Sequence, residues 1–134
     1  MKEKYTIGDI VIFQRTFYKH YGLYIGDNKV IHRDNINLMN KFKSKVKINN
    51  IDEIHGILKN GNNIYNRERL PINKTLEMAY AHLNESGKYD IFTNNCEHFV
   101  TMVCYGKKES KQINNLLKII QFTTIIGIII MKRI

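Results

Sequence analysis

At 134 residues, with 43% apolar content and a single proline, the chain is long enough for one domain around one core, too short for two, and too apolar for a disordered segment. Its net charge of +9 points to an anionic partner. The basic residues are scattered in pairs, tryptophan is absent and no nucleic-acid motif is present, so a membrane surface is expected and nucleic acid is not.

The opening residues Met1-Lys-Glu-Lys-Tyr5 contain no apolar run, and no secretory signal is expected there. Ile7 to Phe13 reads as an apolar strand opened by a Gly8-Asp9 turn, and His20 to Ile25 as a second strand. Gly26-Asp27-Asn28 then turns the chain into Lys29-Val-Ile-His32. If that turn is a three-residue hairpin loop, Ile25 pairs with Lys29, His32 falls opposite Gly22, and His20 becomes the diagonal neighbour of His32 on one face. A two-residue loop would place the two histidines on opposite faces. Lys45 to Ile51 alternates basic and apolar residues and reads as a strand, with Glu53 to Leu58 as another. Asn73 to Ser86 reads as a helix, with Asn73 as its N-cap, Leu76, Ala79, Tyr80 and Leu83 on one face, and Gly87 as the stop.

A short strand, Tyr89 to Phe92, leads into a second helix that carries Cys96. Asn94 is the expected N-cap and Glu97 its reciprocal partner, which leaves Cys96 in the first turn. Phe99, Val100 and Val103 follow at i+3, i+4 and i+7 and hold that side of the helix on the core. Unpaired N–H groups and the partial positive charge of a helix N-terminus favour a thiolate, and a nearby imidazole would complete the activation of a nucleophile. Taken alone, a small apolar core residue is the commoner fate of a free cysteine, and a strand histidine is more often satisfied by backbone or water. Zinc held by His20, His32 and Cys96 is a further chemical reading, without a tight ligand pair behind it. His98 points away from Cys96, about 200° around the helix, and reads as a structural hydrogen-bonder; Cys104 reads as core. Cys96 and Cys104 share one helix at about 12 Å of rise, beyond disulfide reach, and a reduced environment is the simpler reading.

Residues 107–115 are polar and read as a linker. Leu116 to Met131, LLKIIQFTTIIGIIIM, is apolar all round and followed by Lys132-Arg133. As a helix it spans about 24 Å, a little short of the roughly 30 Å hydrocarbon core, a deficit that snorkelling and bilayer thinning can absorb. A single membrane anchor is the expectation, with a helix buried in the domain or a partner as its rival. Strands first and helices later give an α+β domain over 1–106.

Four blocks occur together and in order: Gly8-Asp9-Ile-Val-Ile-Phe13, Phe17-Tyr18-Lys19-His20-Tyr-Gly-Leu-Tyr24-Ile-Gly26-Asp27, Val30-Ile31-His32, and Asn95-Cys96-Glu97-His98-Phe99-Val100 with Tyr105-Gly106. In these the chain resembles the LRAT-like branch (lecithin:retinol acyltransferase and H-rev107-type phospholipase/acyltransferases) of the NlpC/P60 thiol-enzyme superfamily. The stretch between His32 and Asn73 does not match, which leaves substrate choice open. The resemblance implies a circularly permuted papain-like fold, an antiparallel sheet packed with helices and followed by a hydrophobic anchor helix. It implies Cys96 as nucleophile, His20 as base and His32 as the residue orienting His20. The implied substrate is a glycerophospholipid, cleaved at an sn-1 or sn-2 ester through a Cys96 thioester, with water, an amine or a hydroxyl as acyl acceptor. Neither a cofactor nor a metal is called for. The expected location is the cytosolic face of a membrane, and the Ile-, Asn- and Lys-rich composition suits an AT-rich genome such as that of a large DNA virus. A cysteine peptidase or amidase of the wider superfamily and a non-catalytic membrane-bound scaffold are the alternatives.

Overall fold

A computed structural model describes residues 4–35, 44–87 and 95–133. Strands β1 (Ile10–Gln14), β2 (Lys19–Gly26), β3 (Lys29–Asn35) and β4 (Ser44–Asn50) precede a short 3₁₀ turn (Ile51–Glu53) and strand β5 (Ile57–Asn60). Helix α1 (Ile72–Ala81), the two-residue strand β6 (Ser86–Gly87), α2 (Cys96–Tyr105) and α3 (Lys111–Lys132) follow. The strands form one antiparallel sheet in the order β5-β1-β2-β3-β4-β6, so the expected α+β class holds.

Period-two alternation divides the apolar residues between the two faces. Ile10 and Ile12 of β1, Tyr21 and Leu23 of β2, Ile31 of β3 and Val46 of β4 pack with Phe99, Val100 and Val103 of α2 and Ala79 of α1. The intervening residues Val11, Phe13, Tyr24 and Val30 join Tyr5 and Ile51 in a second cluster on the opposite face. Both faces are therefore covered, which explains why β1 to β3 read as nearly unbroken apolar runs.

Local chemistry sets several boundaries differently from the sequence reading. Asp9 closes the turn before β1: its N–H donates to the Thr6 carbonyl and its carboxylate accepts from the Thr6 N–H, both at 2.9 Å, and the strand begins only at Ile10. The β2–β3 connection is a two-residue turn, with Asp27 and Asn28 at φ 50° and 58°, the signature of a type I′ hairpin. Gly26 pairs with Lys29, whereas Tyr24 pairs with Val30, so Ile25 is an extra residue on one strand. This bulge restores the face relation that a two-residue loop alone would reverse. Gly56, at φ +127°, turns the chain so that β5 starts at Ile57 and pairs with the edge of β1.

Helix α1 takes Pro71 as its N-cap, without a side-chain cap bond, in place of Asn73. It ends at Ala81 because Asn84, at φ 66°, takes the left-handed conformation that asparagine tolerates. The Asn84 N–H then donates to the Val46 carbonyl at 2.9 Å, and Gly87, read as a stop signal, pairs with Ser44 in β6. Tyr80, expected on the buried face, is 46% exposed. The strand expected at 89–92 lies outside the described residues.

Candidate active site

Asn95 starts α2. Its side-chain oxygen accepts from the His98 N–H at 3.0 Å, and its own N–H donates to His98 Nδ1 at 3.1 Å. The capping box therefore consists of Asn95 and His98, one register later than the Asn94–Glu97 pair expected; Asn94 itself lies outside the described residues. His98 is the structural hydrogen-bonder it was read to be. Cys96 becomes the first helical residue, buried, with Sγ 3.9 Å from the Lys19 carbonyl oxygen of β2.

His20 follows Lys19, and its Nε2 lies 2.8 Å from His32 Nδ1, with the two rings edge to face. Gly22 of β2 makes room for Val30: a β-carbon there would collide with Val30 Cγ1, while its 3.5 Å to His32 Cβ would be ordinary contact. His32 Nε2 is 2.9 Å from Asn49 Oδ1, and Asn49 Nδ2 donates to Glu53 Oε2 at 3.1 Å. This chain assigns the tautomers. Because the Asn49 amide nitrogen donates to a carboxylate, its oxygen faces His32; neutral His32 must then donate from Nε2 and accept at Nδ1. His20 accordingly donates from Nε2 and keeps the lone pair on Nδ1.

Burial holds both imidazoles neutral. Desolvation, reinforced by His32 and Arg15, lowers the His20 pKa from 6.5 to about 3. Desolvation also lowers that of His32, against the opposing influence of Asn49 and Asp34. For Asp34, burial pushes upward, but the hydrogen bond from Lys47, at 3.0 Å, brings the carboxyl below its ordinary value. A polar recess of about 210 Å³ opens beside these groups, lined by His32, Asp34, Lys47, Asn49, Arg15 and His55 among others.

His20 and His32 are thus in hydrogen-bond contact, and Cys96 adjoins the same strand one residue away. Among the described residues no hydrogen bond joins Cys96 to His20. Cys96 packs in the helix-side cluster with Tyr21 and Leu23, while the His20 ring lies against Phe13 of the opposite cluster, 6.1 Å between centroids. The donor atoms of His20, His32 and Asp34 lie within 4.8 Å of one another, so among the described residues the ligand-type group contains Asp34 where the sequence reading of a zinc site had Cys96. Cys104 is buried core, and its thiol is pushed up to about 11 by burial, which the neighbouring Arg69 only partly offsets.

Asn49, Glu53 and Glu97 are the polar residues whose roles sequence reasoning missed. Glu97 is fully buried. It accepts from Tyr65 Oη, from Ser110 Oγ and the Lys111 N–H at 2.8 Å each, and from Gln112 Nε2 at 3.2 Å. The neighbour of Cys96 therefore caps the first turn of α3, where a carboxylate complements the helix dipole. Gln112 in turn brackets Lys19, accepting from its N–H at 2.8 Å and donating to its carbonyl at 3.0 Å. The apolar helix thus begins at Lys111, within the stretch read as linker, and is fastened beside the cysteine.

The family model for lecithin retinol acyltransferase matches residues 3–109. The chain is 28% identical over 137 residues to phospholipase A and acyltransferase 4 of Homo sapiens, covering 92% of this chain and 84% of that protein. It is 29% identical over 130 residues to phospholipase A and acyltransferase 1 of the same species, covering 87% and 77%. Phospholipase A and acyltransferase 3 of Mus musculus is 26% identical over 125 residues, covering 83% and 77%. The match spans both histidine strands and the cysteine helix, and the chain belongs to the lecithin retinol acyltransferase family.

Proposed function

We propose that this chain is a lipid acyl-modifying enzyme, a phospholipase A or acyltransferase that takes an acyl chain from a glycerophospholipid through a Cys96 thioester. The observation that carries the reading is the buried, neutral His20–His32 pair set one residue along β2 from a cysteine at a helix N-terminus, in a chain whose relatives are named for that chemistry. His20, with its lone pair on Nδ1, takes the thiol proton; the resulting imidazolium is stabilised by the thiolate beside it and by His32 accepting at Nδ1. The thiolate attacks the ester carbonyl, the lysophospholipid alkoxide leaves with the proton from His20, and the acyl group remains on Sγ. A second cycle, with His20 deprotonating water, an amine or a hydroxyl, releases the acyl group. The Cys96 backbone N–H, at the start of α2, is the candidate donor to the developing oxyanion. Catalytic groups draw together when substrate binds, and this reading requires the Cys96 thiol and His20 to come into hydrogen-bond contact in that complex.

Helix α3, with 22 residues and a mean hydropathy of 1.7 over its most apolar window, is the proposed membrane anchor; only 6% of that window is buried against the domain. The order of histidine strands before the cysteine helix suits the circularly permuted papain-like arrangement. A non-catalytic membrane scaffold is the second reading, favoured by the packing of Cys96 in the helix-side cluster while the His20 ring lies against Phe13 of the opposite one. The discriminating experiment is release of fatty acid or transferred acyl product from phosphatidylcholine vesicles by the native chain against Cys96→Ser and His20→Gln. Loss in both variants with an unchanged fold supports the enzyme; equal product from native and Cys96→Ser chains contradicts the thiol mechanism.

A further inference from the structure

The β1–β2 turn, Arg15-Thr16-Phe17-Tyr18, ends the hairpin a few residues before His20. It is closed tightly, with the Arg15 N–H donating to the Tyr18 carbonyl at 2.9 Å. Arg15 also donates to Tyr18 Oη at 2.6 Å, lies over its ring at 5.4 Å and donates from Nε to the His55 carbonyl at 3.0 Å. This rigid turn presents Phe17 at 94% exposure, an arrangement that the hairpin's own packing does not require. Isolated exposed apolar residues are ordinary on protein surfaces, but Phe17 is not isolated. Gln14 pairs with Lys19 on one side and with Ile57 on the other, so Ile57, 69% exposed, stands at the same end of the sheet, and half-covered Tyr18 joins them.

The β1, β2 and β5 side of this end is also basic, while Asp34 of β3 is held by Lys47 at 3.0 Å. Residues 14–19 and 57–60 contain Arg15, Lys19 and Lys59 and no carboxylate. The start of α3 is fixed to it through the two Gln112–Lys19 hydrogen bonds. Leu116 and Leu117, the first residues of the exposed apolar run, lie about 6 to 8 Å of helix rise beyond Gln112. Any bilayer that takes up α3 is therefore brought close to Phe17.

From this juxtaposition we infer that the β1–β2 turn is a second membrane contact, with Phe17, Tyr18 and Ile57 entering the interfacial region of an anionic bilayer and Arg15, Lys19 and Lys59 meeting its headgroups. Aromatic rings with basic neighbours suit that depth. The inference rests on the lipid-surface reading of the chain and deepens it: the contact would set the approach to the histidine pair against the lipid, so that an ester need leave the bilayer by only a short distance.

The chain contains no tryptophan, so single Phe17→Trp, Tyr80→Trp and Phe122→Trp variants of the full chain each report one place without background. Each is mixed with vesicles of phosphatidylserine and phosphatidylcholine brominated in its acyl chains. Phe122 lies on α3 and reports the anchor; Tyr80, exposed on α1, is the control. The proposal predicts a roughly twofold or greater loss of emission at Phe17→Trp, with little change at Tyr80→Trp. That pattern supports it whether or not Phe122→Trp is quenched, the latter deciding the anchor separately. Quenching at Phe122→Trp without quenching at Phe17→Trp would overturn the turn contact and leave the anchor standing. Quenching at neither, or equally at Phe17→Trp and Tyr80→Trp, would overturn it as well.

Discussion

At the scale of single residues, the relay from Glu53 through Asn49 and His32 to His20 decides which nitrogen carries each proton. Asn49→Leu would leave the buried His32 Nε2–H without its acceptor, 2.9 Å away in the native chain, at a cost of about 1–3 kcal/mol. Urea unfolding measures it, and Asn49→Asp, which retains an acceptor, should recover most of the loss. The histidines also predict a pH dependence. A pKa held at about 3 in the fold against 6.5 when exposed means that the unfolded chain binds more protons between those values. The contribution is complete above pH 6.5 and is lost as pH falls toward 3, with a slope of up to about 1.4 kcal/mol per pH unit for each group. His20→Asn should flatten that slope in denaturant titrations between pH 6.5 and 4. The candidate residues Cys96, His20 and His32 could be named in the sequence because they sit in short contiguous blocks. Asn49 and Glu53 were not: Asn49 meets His32 across 17 positions, through a β3–β4 register that no local pattern encodes.

At the scale of elements, the β2–β3 hairpin shows how one correct placement rests on two local features. The sequence reading put both histidines on one face by a three-residue loop; the structure reaches the same face by a type I′ turn and a bulge at Ile25. Loop length was ambiguous because Gly26, Asp27 and Asn28 all accept positive φ. Gly22→Val would force a branched side chain into the space held by Val30 and His32, and should destabilise the fold by about 1–3 kcal/mol in thermal or urea melts. The α2–α3 junction was misread for a different reason: Glu97 follows three positions after an asparagine, the usual sign of a capping box, but its carboxylate caps the following helix. Glu97→Ala would leave the donors of Tyr65, Ser110 and Lys111 without their acceptor at a buried site. It should cost about 3 kcal/mol or more, and amide exchange in the first turn of α3 should accelerate with it.

For the whole molecule, a sheet covered on both faces carries the site at one end, and the apolar helix departs from that same end. The class of the fold and the existence of α3 were legible from periodicity and from the long apolar run. The attachment of α3 to β2 was not, since it depends on Gln112 meeting Lys19 across 93 positions. If α3 spans a bilayer, Phe122→Lys places a charge near the middle of its 22 residues and should oppose insertion by about 3 kcal/mol; extraction of membranes at alkaline pH would then release the variant and retain the native chain.

The central claim is that Cys96 becomes acylated by phospholipid. Intact-protein mass after mixing the chain with phosphatidylcholine vesicles reads it directly. The account predicts a gain of one acyl group on the native chain, absent in Cys96→Ala and sharply reduced in His20→Ala. A folded native chain that gains no mass and releases no lysophospholipid would contradict it.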